Sequence, residues 1–160
     1  MIKINKKTVK TLSDNSKFLT YEQLFKFVKR HIKYKSEKND SWTPPEETLK
    51  RGYGDCEDFA LVVKDLCQKN GYICKIFVAF QKGLDGRTGH VYCLVENVGN
   101  PQSYWLTSNG DYYKSIGSIL DGQKLMYKKL AWKNAFSIEL QDQTIANLLN
   151  KDIKNVRNYT

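Results

Sequence analysis

Histidine is scarce in this chain, with two in 160 residues, so any mechanism that needs an imidazole must draw on His31 or His90. Long apolar runs are missing as well: no segment is hydrophobic enough to cross a bilayer, which excludes a membrane partner of the spanning kind. Residues Met1 to Lys10 are Lys-rich, without a continuous apolar stretch or a small-residue cleavage site, and so do not read as a secretory signal. The expected compartment is therefore the cytoplasm. Acidic residues are outnumbered, 17 against 26 Lys and Arg, giving a formal net charge of +9. Such a charge could serve nucleic-acid binding, but no recognisable nucleic-acid-binding motif accompanies it. The lysines are dispersed, as at Lys26, Lys29, Lys33, Lys64 and Lys128, among abundant Asn and Ile, which suggests compositional bias of an AT-rich genome rather than a built patch. Internal repeats and low-complexity linkers are absent too, and 160 residues suffice for one well-formed core and are too few for two ordinary domains, so a single domain over 1–160 is expected.

Four cysteines are present, Cys56, Cys67, Cys74 and Cys93. Their placement inside regular-looking elements favours reduced thiols over disulfides, one reactive and three buried. The informative string is Gly52-Tyr53-Gly54-Asp55-Cys56-Glu57-Asp58-Phe59-Ala60. It sets a cysteine among acids, after a glycine-rich turn and before an apolar helical pattern. A thiol at such a helix start feels the positive end of the helix dipole, which favours thiolate. Against this, negative neighbours raise a thiol pKa, so Asp55, Glu57 and Asp58 are poor direct activators. Cys56 reads either as a nucleophile or as a buried thiol that caps helix packing.

The periodicity predicts helices first. Thr20 and Gln23 fit a capping box, opening a helix over residues 20–34; Pro45 starts a short helix, and a third runs from Cys56 to about Asn70, stopped by Gly71, with Cys67 on its core face. The polar run Ser36 to Ser41 between the first two reads as a loop. After Gly71 the period changes to that of strands: Tyr72 to Phe80, His90 to Val95 and Ser103 to Leu106, then β-like stretches at Leu125 to Leu130 and Ala135 to Leu140, with a short helix from Thr144 fading into a polar terminus. The turns between the strands are Gly83 to Gly89 and Gly99 to Gln102. Helices followed by an antiparallel sheet make an α+β fold.

A thiol nucleophile requires a base and a group to orient it. His31 lies in the Lys-rich half of the first predicted helix and reads as a solvated or helix-end residue. His90 opens a strand after a glycine-flanked turn and is the expected base, the alternative being a hydrogen-bonded strand residue. Alternation puts His90, Tyr92 and Leu94 on one face, so Cys93 points away from His90. Gly54 and the Cys56 N–H are natural oxyanion contacts. Trp42 either lines a substrate groove or covers the core. Trp105 and Trp132 read as packing residues.

Taken together, Trp42, Pro45, Glu47 and Leu49, then Gly52 to Ala60, Gly71-Tyr72 and Gly89-His90-Val91 resemble the bacterial transglutaminase-like cysteine proteinases, within the transglutaminase-like and papain-like superfamily. The resemblance covers about residues 40–110, and its Gly-Asp-Cys-Glu-Asp string is specific. It implies a papain-like α+β domain with Cys56 as nucleophile and His90 as general base, acting on a peptide or isopeptide bond through a thioester. Relatives of this kind also occur among tailed-phage proteins, which implies virion proteins as partners and a virion location as an alternative to the cytoplasm. Such families usually place an aspartate after the next strand, where this chain has Thr107-Ser108-Asn109-Gly110. Asn109 is the expected orienting group because its amide oxygen accepts from an imidazole N–H; Thr107 or Ser108 could align instead, and Asn109-Gly110 could be a plain turn. In some relatives the flanking acids bind calcium, which implies Asp55 and Glu57 as calcium ligands. The alternative is that these acids stabilise the helix dipole, while Asp58 ties down the helix start or pairs with a Lys. The chemistry itself needs no cofactor. Two other outcomes stay open: a cross-linking transglutaminase, and a domain that keeps the fold for structure or binding.

Overall fold

The computed structural model describes residues 19–36, 42–82 and 89–150. The predicted loop 37–41, most of the turn 83–89, and both termini lie outside them. Helix α1, Tyr21–His31, opens with the expected capping box: the Thr20 hydroxyl accepts from the Gln23 N–H at 3.2 Å and the Gln23 side chain accepts from the Thr20 N–H at 2.9 Å. It ends three residues earlier than predicted, because Ile32 is extended and the chain becomes strand β1, Lys33–Tyr34. Helix α2, Pro45–Arg51, has proline in its first turn, and Gly52 closes it in the left-handed region at φ 75°. Strand β2, Tyr53–Gly54, then runs parallel to β1 with Tyr34 opposite Gly54.

Helix α3, Cys56–Lys69, follows at once and buries Phe59, Val62, Val63, Leu66 and Cys67. Gly71, at φ 73°, lies just past its end. The remaining elements are β3 (Cys74–Gln81), β4 (Gly89–Asn97), β5 (Asn100–Ser108), β6 (Asp111–Ile116), α4 (Ile119–Leu130), β7 (Ala135–Glu139) and α5 (Asp142–Leu149). The five long strands form an antiparallel sheet in the order β6-β5-β4-β3-β7.

The sheet separates two apolar layers. Ile76, Val78, Val91, Cys93 and Val95 pack with α1, α3 and α5, while Phe77, Ala79, Tyr92, Leu94 and Leu106 pack with α4 through Met126. The period-two alternation of β3 and β4 thus feeds both layers. The sequence reading of Leu125 to Leu130 as β-like is corrected: the segment is the second half of α4. Its start signal is Ser118, whose hydroxyl accepts from the Asp121 N–H at 3.0 Å, and Ile119, Met126 and Leu130 fall at helical spacing against the sheet. Strand β6 was not anticipated. Asn109 and Gly110 both have positive φ, 51° and 90°, as a tight two-residue hairpin requires, and they turn β5 back into β6 with Ser108 opposite Asp111.

Candidate active site

Cys56 occupies the first turn of α3, held there by two reciprocal carboxylate contacts. The Asp55 N–H donates to Asp58 Oδ2 at 3.2 Å, completing a capping box across the cysteine. Asp58 is 0% exposed, and the same oxygen receives Arg51 Nη2 at 2.8 Å. Asp58 thus ties down the helix start, one of the two readings the sequence offered; the pairing with a lysine is corrected to Arg51, whose Nε also donates to the Tyr53 carbonyl at 2.8 Å and whose guanidinium lies over the Tyr53 ring. Arg51 therefore ties α2, β2 and α3 together around the thiol. Glycine at 54 is a packing requirement here: a Cβ would stand 2.6 Å from Asp58 Cβ.

The other half of the site comes from the sheet. Strand β4 extends four residues, Gly89 to Tyr92, past its last pair with β5, Cys93 opposite Thr107. At that free end the Val91 N–H donates to Cys56 Sγ at 3.5 Å, which seats the thiol one peptide unit from His90. His90 Nε2 lies 2.7 Å from Ser108 Oγ. Thus Ser108, and not the expected Asn109, makes this contact to the imidazole. The register explains it. Leu94 opposes Leu106, so period two puts His90 and Ser108 on one face, whereas Asn109 is a turn residue. Asn109 and Ser108 both line a small cavity behind Cys56, and Asn109 Oδ1 is buried without a hydrogen-bond partner. Ser108 is one of the two alternatives that the sequence offered beside Asn109, and the strand register selects it.

Electrostatics hold the thiol neutral. Burial raises the Cys56 pKa far above its ordinary value; Glu57 and Asp55 push the same way, and the Val91 N–H opposes them. The thiol donates to Glu57 Oε2 at 3.4 Å. The helix dipole, expected to favour thiolate, is outweighed by burial and these acids. Glu57, 7% exposed, is itself raised, mainly by burial. Burial and Asp55 push Asp58 up to about 7 against the pull of Arg51. His90 is lowered to about 4 by burial.

The remaining expectations sort as follows. Trp42 is 3% exposed and packs in the core, so it covers the core and does not line an open groove. His31 ends α1, its Nδ1 3.0 Å from the Phe27 carbonyl and its ring against Phe27, away from Cys56 chemistry. Cys67, Cys74 and Cys93 are free and buried. Trp105 packs in the core and Trp132 against the α4 layer. Among the described residues no helix is long and apolar enough to cross a membrane, and no group of three or more His, Cys, Asp or Glu is arranged to hold a metal ion.

A cysteine at a helix start, packed against the strand end that carries a histidine, is the arrangement of the transglutaminase-like class. A model of the transglutaminase-like superfamily matches residues 3–112, and the chain belongs to that superfamily. Among solved structures, the chain is similar to Legionella pneumophila LapG, at TM-score 0.56 and 15% identity over 89% of this chain and 84% of that one. The EGTA-treated form of LapG gives a TM-score of 0.52 at 16% identity, over 84% and 70%. A candidate cysteine protease of Cytophaga hutchinsonii gives 0.49 at 15% identity, over 84% of this chain and 49% of that one. No curated protein matches the sequence.

Proposed function

We propose that this protein is a cysteine hydrolase that cuts a peptide or isopeptide bond through a thioester on Cys56, with His90 as general base. The observation that carries the reading is the Val91 N–H contact to Cys56 Sγ, which brings the helix-start thiol to the strand end that bears His90. With Nε2–H donating to Ser108, the Nδ1 lone pair of His90 is the base. It takes the thiol proton, and the thiolate attacks the carbonyl carbon. The Cys56 N–H, one of the first-turn donors without an intrahelical acceptor, and the backbone at Gly54 receive the oxyanion. His90 then protonates the departing amine, leaving the acyl group on sulfur. Water resolves the thioester in a hydrolase; a lysine amine would do so in a transglutaminase.

The neutral resting thiol must be freed of Glu57 for this chemistry. Asp55 and Glu57 fit calcium in donor type, as buried carboxylates on either side of Cys56, with backbone carbonyls and water left to complete the shell. Calcium there would supply positive charge that cancels the repulsion of the two acids toward a thiolate. A protein substrate is the expected partner.

The thiol contact to Glu57 and a serine beside His90 favour a second reading, in which the domain keeps the fold for binding or structure, as a virion component would. Reaction with peptidyl acyloxymethyl ketones separates the two. The hydrolase reading expects a thioether on Cys56, formed with loss of the carboxylate and dependent on His90; a protein unlabelled at Cys56, or labelled equally in His90→Ala, supports the second reading. Incorporation of a fluorescent primary amine into an added protein would identify cross-linking instead.

A further inference from the structure

Strand β1 has no part in the chemistry above, yet it delivers an aromatic side chain to the edge of the site. Lys33 N–H donates to the Gly52 carbonyl at 2.9 Å and Lys35 N–H to the Gly54 carbonyl at 2.8 Å, fixing Tyr34 opposite Gly54, two residues before Cys56. The neighbouring ring of Tyr53 is occupied: Lys35 Nζ lies 4.7 Å and the Arg51 guanidinium 4.8 Å from its centroid. Tyr34, by contrast, is 56% exposed. A single exposed ring is ordinary on a protein surface; what sets Tyr34 apart is that hydrogen bonds on both sides of it fix its strand to the loop that carries the nucleophile. From the geometry we infer that Tyr34 is a specificity-determining residue, its ring forming an apolar wall beside Cys56 for the substrate side chain next to the scissile carbonyl.

The electrostatics agree with this placement. Burial is the first cause that raises the Tyr34 phenol, and Cys56, Asp55 and Glu57 add to it, so the phenol lies within electrostatic reach of the site. The strand is short, but both of its flanking N–H groups are tied to the loop that carries the nucleophile, so ring and thiol are positioned by one piece of backbone. Arg51 and the Gly54 packing that hold Cys56 in place hold this wall in register with it.

The inference rests on the thioester reading of Cys56, and the test separates the two. Rates of Cys56 labelling would be measured with peptidyl acyloxymethyl ketones that differ only in leucine or glycine next to the reactive carbonyl, and with iodoacetamide. In the wild type the leucine probe should react faster than the glycine probe. That preference should fall roughly tenfold in Tyr34→Ala, as expected for loss of one aromatic contact, and persist in Tyr34→Phe, which keeps the ring. An unchanged preference in Tyr34→Ala, or no preference for leucine in the wild type, overturns the role of Tyr34 alone. Failure of all three reagents to label Cys56 in a His90-dependent way overturns the thioester reading, and the role of Tyr34 with it.

Discussion

Ser108 presents a hydroxyl to His90 at a point where resemblance suggests an acid, and a hydroxyl can orient the ring without stabilising its charge. Removing it in Ser108→Ala should slow Cys56 alkylation roughly fivefold, the equivalent of about 1 kcal/mol for a neutral hydrogen bond. Ser108→Asp should accelerate it, because a carboxylate there favours the imidazolium that forms when His90 takes the thiol proton; a rate below wild type would count against Ser108 as the orienting group. Two buried groups also predict how stability depends on pH. His90 is lowered to about 4 from 6.5, so between those values the folded protein binds fewer protons than the unfolded chain and its contribution to stability is lost on acidification. Asp58 is raised to about 7 from 3.8, so its contribution has the opposite sign, present at low pH and lost as pH rises through about 7. Urea midpoints measured from pH 4 to 6.5 should therefore fall more steeply with rising pH in His90→Gln than in wild type, and rise in Asp58→Asn relative to wild type. Curves parallel to wild type would show that neither group is buried as described.

The loop from Arg51 to Asp58 is a single packed unit, and its most sensitive point is Gly54. A methyl there meets Asp58 Cβ at 2.6 Å, an atom with no rotamer by which to retreat. Gly54→Ala should cost about 2 kcal/mol by urea denaturation, in the range for overpacking, whereas Thr20→Ala, which removes only the cap of α1, should cost about 1 kcal/mol. Equal costs would mean that the loop yields more easily than its contacts indicate. These elements also show what the sequence made legible. The caps at Thr20, the stop at Gly71 and the alternation through His90 to Val95 are local signals, and the helices and strands they predict are present. The α4 segment was misread because its apolar cluster Leu125 to Leu130 has no single period until Ser118 is recognised as the cap. Strand β6 was hidden for a different reason: at the sheet edge, Asp111 to Ile116 buries only Ile116 fully, so burial left little pattern in it. Of the site, Cys56 and His90 could be singled out from residue type and context. The contact from Ser108 to His90, the pairing of Arg51 with Asp58 and the position of Tyr34 depend on strand register and loop closure, which no local pattern encodes.

Across the whole molecule, the sheet lets two unrelated segments meet at one point. Helix α3 packs on one face, α4 stabilises the other, and only at the free end of β4 does the first turn of α3 reach the strand that carries His90. The chain carries a formal net charge of +9, yet the cysteine itself is flanked by buried acids, so the net charge does not activate the thiol. In the proposed mechanism activation falls to His90, and restraint to Glu57. The most direct test is the rate of iodoacetamide alkylation at Cys56 near pH 7, followed by mass spectrometry in wild type, His90→Ala and Glu57→Gln, with and without calcium. A rate at least tenfold higher in wild type than in His90→Ala, in the range of general-base assistance, is predicted, with a further increase in Glu57→Gln and on calcium addition. Alkylation that is slow and indifferent to His90 in every condition would contradict the account, and would leave a transglutaminase-like fold that has kept its cysteine without its chemistry.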